Sequence, residues 1–468
     1  MFLQHFARRD LSRAARWGHT YALIVPPDNP TPPTPPIDPP ADTPDAPSPG
    51  REPSRRDLWR LSDFRWFLVS LAASTLASQV LEAAVAYQIY AITRDPFSLG
   101  LIGLAEALPF IACVLPAGHF ADVHDRKRIG FGALMVMATA MAALWGVSYG
   151  SERLGPSVVK GAAYAIVAAT GVCRAVFQPA RAALAAELVP RAFYPLAVSL
   201  RTGVWQMAAV TGPALGGAMY AALGPEAAYG TSTALMMLGI WAWHRIEYRH
   251  RSNTRAQPAS AGHEPVAMWA SLREGFVFLW HEPLVLPAIV LDLFAVLFGG
   301  AVALLPVFAE DILRVGPAGF GLLRAAPAAG AVVMSVALIL RRPLRRAGLS
   351  LLLAVTVFGV STIGFALSRW FPLSLALLAC AGAADMISIV VRGTLMQVRV
   401  PGHMLGRLSA INQIFIGSSN EIGAFESGLA AKILGTVSSV VVGGTATLLV
   451  VAATAWRAPA LRRLGPLR

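Results

Sequence analysis

Apolar runs of about 17 to 25 residues alternate along the chain with short polar stretches, and each run is long enough to cross a bilayer as a helix. The first set falls at 67–92, 98–120, 129–149, 157–180, 197–222 and 227–243. A second follows at 283–308, 318–340, 348–368, 371–396, 408–432 and 436–456. The pattern predicts an all-α membrane protein of twelve transmembrane helices in two bundles of six, spanning 57–247 and 271–457. Three polar segments remain: a basic, Pro-rich tail over 1–56, a central loop over 248–270, and a basic tail over 458–468. From Pro26 to Pro53 the chain is mostly Pro, Asp, Thr and Ser, a composition that favours extended, solvated backbone and cannot build a core, so a disordered tail is expected there. Residues 1–24 lack the continuous apolar core of a secretory signal.

Composition agrees with the pattern. Of 468 residues, 55% are hydrophobic and 14% charged, with a mean hydropathy of +0.56, which is too apolar for an ordinary soluble protein. The net charge of +13 would suit a nucleic-acid partner if the cations formed one patch. Instead they sort by loop, into Arg126–Arg128, Arg181–Arg191, Arg245–Arg255, Arg341–Arg346, Arg399–Arg407 and Arg457–Arg468, while the opposite loops hold few. The positive-inside rule puts these segments and both termini in the cytoplasm, so the bilayer is the implied partner and no nucleic acid is expected. Cys113, Cys173 and Cys380 all fall in apolar spans and predict packed, free thiols. No nucleophile and base constellation, metal-ligand cluster, cofactor motif or phosphate-binding loop is evident, which argues against an enzyme and against ATP as the energy source.

The two halves repeat. RAALAAELVPRAFYPLAVSL from Arg181 overlays RGTLMQVRVPGHMLGRLSAI from Arg392, so that Arg181 meets Arg392 and Pro190 meets Pro401; further on, Gly212 and Gly217 meet Gly423 and Gly428. PFSLGLIGLAEA from Pro96 likewise overlays PAGFGLLRAAPA from Pro317. Two related halves about an axis along the membrane normal follow from this. In the same register Arg174 of helix 4 falls opposite Asp385 of helix 10. Both are expected near midplane, Arg174 about 15 to 20 Å from its loop. An isolated charge there is costly, so each needs a partner, and pairing with each other is one solution. The alternative is that each charge is satisfied within its own half.

Other polar residues inside the spans extend the candidate site. Gln79 and Glu82 share a face of helix 1, and a desolvated carboxylate at Glu82 could take up a proton, although a helix-packing hydrogen bond would also account for it. Glu421 in helix 11 is a further coupling candidate. Tyr87, Gln178, Asp292, Arg392, Asn412 and Gln413 complete the expected substrate cavity.

Between helices 2 and 3 stands GHFADVHDRKR, with Gly118 four residues before Asp122 and a basic cluster at Arg126, Lys127 and Arg128. It resembles the Gly-x-x-x-Asp latch loop of the major facilitator superfamily. In helix 5, Gly212, Pro213, Gly216 and Gly217 resemble the G-P-x-x-G-G core of that superfamily's antiporter signature, with Ala208 where the full signature has glycine. FQPARAALAAELVP, RGTLMQVRVPGHMLGRLSAIN and SNEIGAFESGLAAKILG are similar to the bacterial branch that includes the enterobactin exporter, and Glu106 departs from its pattern. The resemblance implies the major facilitator fold and an inner-membrane secondary carrier exporting a siderophore or another amphipathic small molecule by alternating access. Helices 4 and 10 line the central cavity of the resembled fold, which implies that Arg174 and Asp385 face each other across the pathway and pair in the empty carrier until substrate or a proton parts them. Protons are the implied coupling ion, with Glu82, Arg174, Asp385 and Glu421 carrying it, and a small-molecule substrate and a monomeric chain are implied as well. An importer or multidrug exporter of the same fold, or a non-transporting sensor, are the alternatives.

Overall fold

The computed structural model describes residues 55–247, 274–299, 301–340 and 346–466, without the side chains of 55–57, 115, 118–123, 152, 191, 402, 403, 405–407, 409–411, 413–415 and 418. The expected tail up to residue 54, the central loop and most of the basic segment after residue 340 lie outside them, as do the side chains of Gly118, Asp122 and Gln413. All the described residues belong to one compact unit beginning at Glu52, and no strand occurs among them.

Nine helices among the described residues are long and apolar enough to cross a membrane. They are α1 (Ser62–Thr93), α2 (Pro96–Val123), α3 (Arg126–Tyr149), α4 (Pro156–Glu187), α7 (Val285–Ile312), α8 (Gly316–Leu340), α9 (Ala347–Leu367), α10 (Phe371–Arg399) and α12 (Thr436–Arg457). The other three expected spans are also helical. Tyr194–His244 runs as one helix with a sharp bend at Gly224, whose φ of 83° lies in the left-handed region, giving arms α5 (194–223) and α6 (225–244). The last is α11 (Gly402–Leu434), which carries Arg407, Glu421, Glu426 and Lys432. Glycine, proline and charge make these three less apolar, so hydropathy alone accounts for nine of the twelve.

Local chemistry sets the helix ends. Asp125 caps α3, accepting from the backbone N–H of Lys127 at 2.9 Å and of Arg128 at 3.2 Å. Arg94 ends α1 with a φ of 50°, its N–H reaching the Tyr90 carbonyl at 2.8 Å. The Asp125 turn marks what is called below the hairpin end of the helices; the Arg94 turn marks the far end.

The core has three main clusters, beside a small one of Ile129 and Ala180. One apolar cluster draws only on residues from Leu58 to Ile246, and a second only on residues from Leu279 to Leu464. A third joins the halves at the far end, packing Tyr87, Tyr90 and Leu99 with Leu304, Phe308, Phe320 and Phe365. Two helix crossings also join the halves there, and both are made at glycine. A methyl group added at Gly217 of α5 would stand 2.8 Å from Gly321 Cα of α8, and one at Gly428 of α11 would stand 2.7 Å from Gly100 Cα of α2. The two crossings are the same contact in the two repeats, since Gly100 and Gly321 hold corresponding positions, as do Gly217 and Gly428. Gly212 and Gly216 turn the other way, onto Gln79 and Val80 of α1, and Pro213 lies over Gly321, so the glycine–proline segment packs α5 between α1 and α8.

The close approach predicts a sharp contrast. Gly321→Ala should cost about 1 to 3 kcal/mol, because its methyl would run into the Pro213 carbonyl oxygen. Gly161→Ala, with nothing within 4 Å, should be neutral or slightly stabilising. Thermal unfolding of the purified variants measures the difference.

Candidate functional site

Between the halves lies a cavity of about 570 Å³ whose wall is drawn from both. From the first half come Gln79 and Glu82 of α1, Glu106 of α2, Arg174, Gln178 and Arg181 of α4, and Trp205 of α5. Arg324 of α8, Asp385 of α10 and Glu421 of α11 complete its charged lining. Apolar side chains such as Val85, Val167, Phe177, Phe358 and Leu378 fill the spaces between them.

The charges form a network that crosses the cavity. Arg174 pairs with Glu106, and its guanidinium also lies 3.7 Å from Glu421 on the opposite half. Arg324 donates to Glu82 at 2.9 Å, a second pair between halves. The α2–α4 approach that permits the first pair occurs at Gly171, where an added methyl would meet the Glu106 carbonyl oxygen at 2.5 Å. One turn further along α4, the Arg174 side chain reaches back over that crossing to the carboxylate.

This corrects the expected pairing of Arg174 with Asp385. Both line the cavity, but Arg174 is taken by Glu106 and Glu421, and Asp385 has no ion pair among the described residues. The repeat supplies the reason. Glu106 corresponds to Pro327 of α8, and Gly382 of α10, one turn before Asp385, packs on that proline. The second half therefore keeps the crossing and lacks the side chain that would answer the charge.

Four other expected cavity residues lie elsewhere. Asp292 is buried against Arg392 at 2.8 Å and accepts from Ser388 at 3.2 Å, an ion pair internal to the second half. Asp292 reaches only a small side pocket that it shares with Asp385, and Arg392 lines neither cavity. Asn412 is also off the wall, its Oδ1 buried without a hydrogen-bond partner. Tyr87 belongs to the far-end core, because its hydroxyl donates to Glu310. Gln79, Glu82, Arg174, Gln178, Asp385 and Glu421 do line the cavity. Glu106, Arg181 and Arg324 were missed as site residues; for Glu106 and Arg324 the signal available was a charge inside an apolar span, whereas Arg181 was assigned to the basic segment after residue 180 and proves to lie within α4, which continues to Glu187.

The far end is closed by polar contacts as well as by packing. Arg94 reaches Glu310 at 3.0 Å and Asp311 at 3.2 Å, Tyr90 donates to Asp311, and Lys432 lies 3.7 Å from Asp95. A widened turn over Phe308–Ile312, with the Leu313 N–H bonding the Phe308 carbonyl at 2.8 Å, turns both adjacent carboxylates of α7 towards α1. The hydrogen bond to Glu310 raises the pKa of Arg94 above its ordinary value.

At the hairpin end, the described basic residues tie the loop to its own half. Arg126 pairs with Glu187, Lys127 donates to the carbonyls of His244 and Ile246, and Trp243 Nε1 donates to the Lys127 carbonyl at 3.0 Å.

A polytopic helical protein with a charged, ligand-sized cavity between two related halves is a membrane transporter, not an enzyme. The chain belongs to the Major Facilitator Superfamily, whose family model matches residues 64–424. It is 26% identical over 348 residues to the "Multidrug efflux pump Tap" of Mycolicibacterium fortuitum, covering 72% of this chain and 81% of the relative. It is 25% identical over 207 residues to the MFS-type transporter YfiS of Bacillus subtilis (strain 168), covering 43% and 44% of the two chains. Among solved structures, a crystal structure of the peptide transporter POT has a TM-score of 0.66 at 13% identity, over 86% of this chain and 95% of that one. An inward-facing bacterial homologue of the iron transporter ferroportin has a TM-score of 0.62 at 15% identity, over 84% and 99%. At these identities the structural likeness concerns the fold.

A double-mutant cycle tests the network. Glu106→Gln and Arg174→Gln should show a coupling of about 1 kcal/mol or more in the stability of the purified protein, whereas Arg174→Gln with Asp385→Asn should be additive within about 0.5 kcal/mol.

Proposed function

We propose that the protein exports amphipathic small molecules across a bacterial inner membrane by alternating access, driven by protons. The observation that carries this reading is the ionic network that links the halves through the cavity. Three carboxylates, Glu82, Glu106 and Glu421, stand against two guanidiniums, Arg174 and Arg324. The surplus negative charge in the membrane interior is costly, and a proton on one carboxyl group would remove it. Protonating Glu421 would also release Arg174 from the opposite half, and protonating Glu82 would release Arg324. Proton uptake would thereby loosen the ties between the six-helix bundles at 57–247 and 271–457, with Asp385 as a further carboxylate open to the cavity.

Export is supported by the Gly212–Gly217 segment, which resembles the antiporter signature, and by the likeness to a relative named a multidrug efflux pump. Among the cargoes expected from the sequence, a broad amphipathic class is favoured over a siderophore. The wall mixes charged groups with apolar side chains, and its volume is in the range of drug-sized ligand pockets. In this reading the basic loops and both termini face the cytoplasm, and Asp122 steadies the outward-facing state as part of the latch.

Everted vesicles containing the protein should take up a fluorescent amphipathic dye when a proton gradient is imposed. Glu82→Gln and Glu421→Gln should each lower gradient-driven uptake about tenfold or more while dye exchange without a gradient persists, and Asp385→Asn should weaken coupling. Undiminished coupling in all three variants would remove these assignments, and a wild-type protein that moves no amphipath would instead favour a sensor.

A further inference from the structure

The repeat that places Arg174 opposite Asp385 also places Arg181 opposite Arg392, and the surroundings of these two arginines differ. Arg392 is buried and held at 2.8 Å by Asp292 of α7. Arg181 lines the transport cavity and makes no ion pair or hydrogen bond with any described residue. Its guanidinium lies over the Phe177 ring, 5.2 Å from the centroid. The charged groups that act on it are cations, Arg201 and Arg174. Arg174 is already neutralised by Glu106 and Glu421. Arg201 of α5 stands over Phe67 at 5.9 Å, also without a carboxylate among the described residues, and its Nε is buried with no hydrogen-bond partner. Phe67 and Phe177 both pack on Trp243, at 6.2 and 5.6 Å between ring centroids, so both arginines rest on one aromatic cluster. The acids of α1 are Asp63, near its hairpin end, and Glu82, which is bound to Arg324. The first half thus keeps the arginine of the repeat without the carboxylate that answers it in the second.

An unpaired guanidinium inside a membrane protein is costly unless water or a ligand answers it, and its planar donor fork matches a carboxylate, phosphate or sulfonate. Arg181 lies on the cavity wall, one turn beyond Gln178 and about two turns beyond Arg174 towards the hairpin end. A molecule held in the cavity can reach it without disturbing the ionic network. We infer that Arg181, backed by Arg201, is an anion-receiving subsite of the transport cavity, and that the cargo includes molecules with an acidic head group on an apolar body. The inference rests on the proposed carrier function and narrows its substrate class.

Binding of three probes that share a ten-carbon chain tests it: decanoate, decanol and decyltrimethylammonium, titrated calorimetrically into the full chain in phosphatidylcholine nanodiscs. Arg181→Gln should weaken decanoate about tenfold or more, the loss expected when a charge-assisted hydrogen bond is removed, while leaving decanol unchanged. Arg181→Lys should recover part of the affinity, and Arg201→Gln should weaken decanoate to a lesser degree. Unchanged decanoate affinity in Arg181→Gln, or an equal loss of all three probes, overturns the subsite. Should that variant fail to fold, a photoreactive fatty acid with its diazirine beside the carboxylate keeps the test on the wild-type chain. Labelling around Phe177–Arg181 and Arg201–Trp205 is expected, and labelling confined elsewhere refutes the subsite. Repeating the titration with phosphatidylglycerol in the disc separates the sources of the acid head: loss of the Arg181-dependent part would assign the subsite to a lipid headgroup and reject the cargo assignment. These readouts are of binding, so they can fail while dye transport succeeds, and the reverse.

Discussion

Charge inside a bilayer must be answered, at a cost of about 2.5 to 3.5 kcal/mol for each unanswered group on the insertion scale, and the central architecture of this protein follows from how its charges are answered. Arg174 is met by Glu106 from a neighbouring helix and by Glu421 from across the cavity. Glu82 and Arg324 answer each other between the halves. Asp292 and Arg392 close their account inside the second half alone. Of the charges without an ion pair among the described residues, Arg181 and Asp385 face the space where a transported molecule would sit. In the proposed function the same pairs serve both cohesion and recognition: internal pairs hold a half together, pairs across the cavity would make its closure conditional, and unpaired groups would be open to a ligand.

The division between the far end and the cavity follows a similar logic. At the far end the halves meet through aromatic and aliphatic packing as well as through ion pairs, and Tyr87 and Tyr90 bring both kinds of contact together on one helix face. At the cavity two ion pairs also cross between the halves, Arg174 with Glu421 and Arg324 with Glu82, and in the proposed function these are the contacts open to competition from protons or from a charged cargo. A seam held by burial resists such competition, because nothing small can substitute for an apolar neighbour. The far-end seam also includes exposed ion pairs at Arg94, and these are screened by solvent and contribute little by themselves.

The helices were legible because length and apolarity are local properties. The runs starting near Phe67, Ser98 and Ile129 reappear as α1, α2 and α3 with boundaries shifted by a few residues. α11 was legible despite its charges as the apolar run at 408–432, and the repeat set it opposite α5. The same register set Gly217 opposite Gly428, and the structure shows both at crossings between the halves. Ion pairing was not legible in this way. Arg174 and Glu106 are 68 residues apart, and their meeting depends on the close passage of α2 and α4 at Gly171. Glu106 stood out in the sequence only as a departure from the resembled branch. The symmetry argument for Arg174 and Asp385 gave a shared wall and gave the wrong partner, because a repeat conserves position and not chemistry: the place of Glu106 is taken by a proline in the second copy. Asp292 and Tyr87 were misplaced for another reason, since polarity within a span does not say which side of the helix faces the pathway.

The paired glycine crossings have a mechanical consequence. Where two helices touch backbone to backbone, there are no interdigitated side chains whose rotamers must be reset when the angle between them changes. Gly217 on Gly321 and Gly428 on Gly100 are two such joints, one for each copy of the repeat, and would serve the proposed cycle as bearings. In the proposed cycle, the choice between one tilt and the other is left to whatever occupies the charged groups a few turns away.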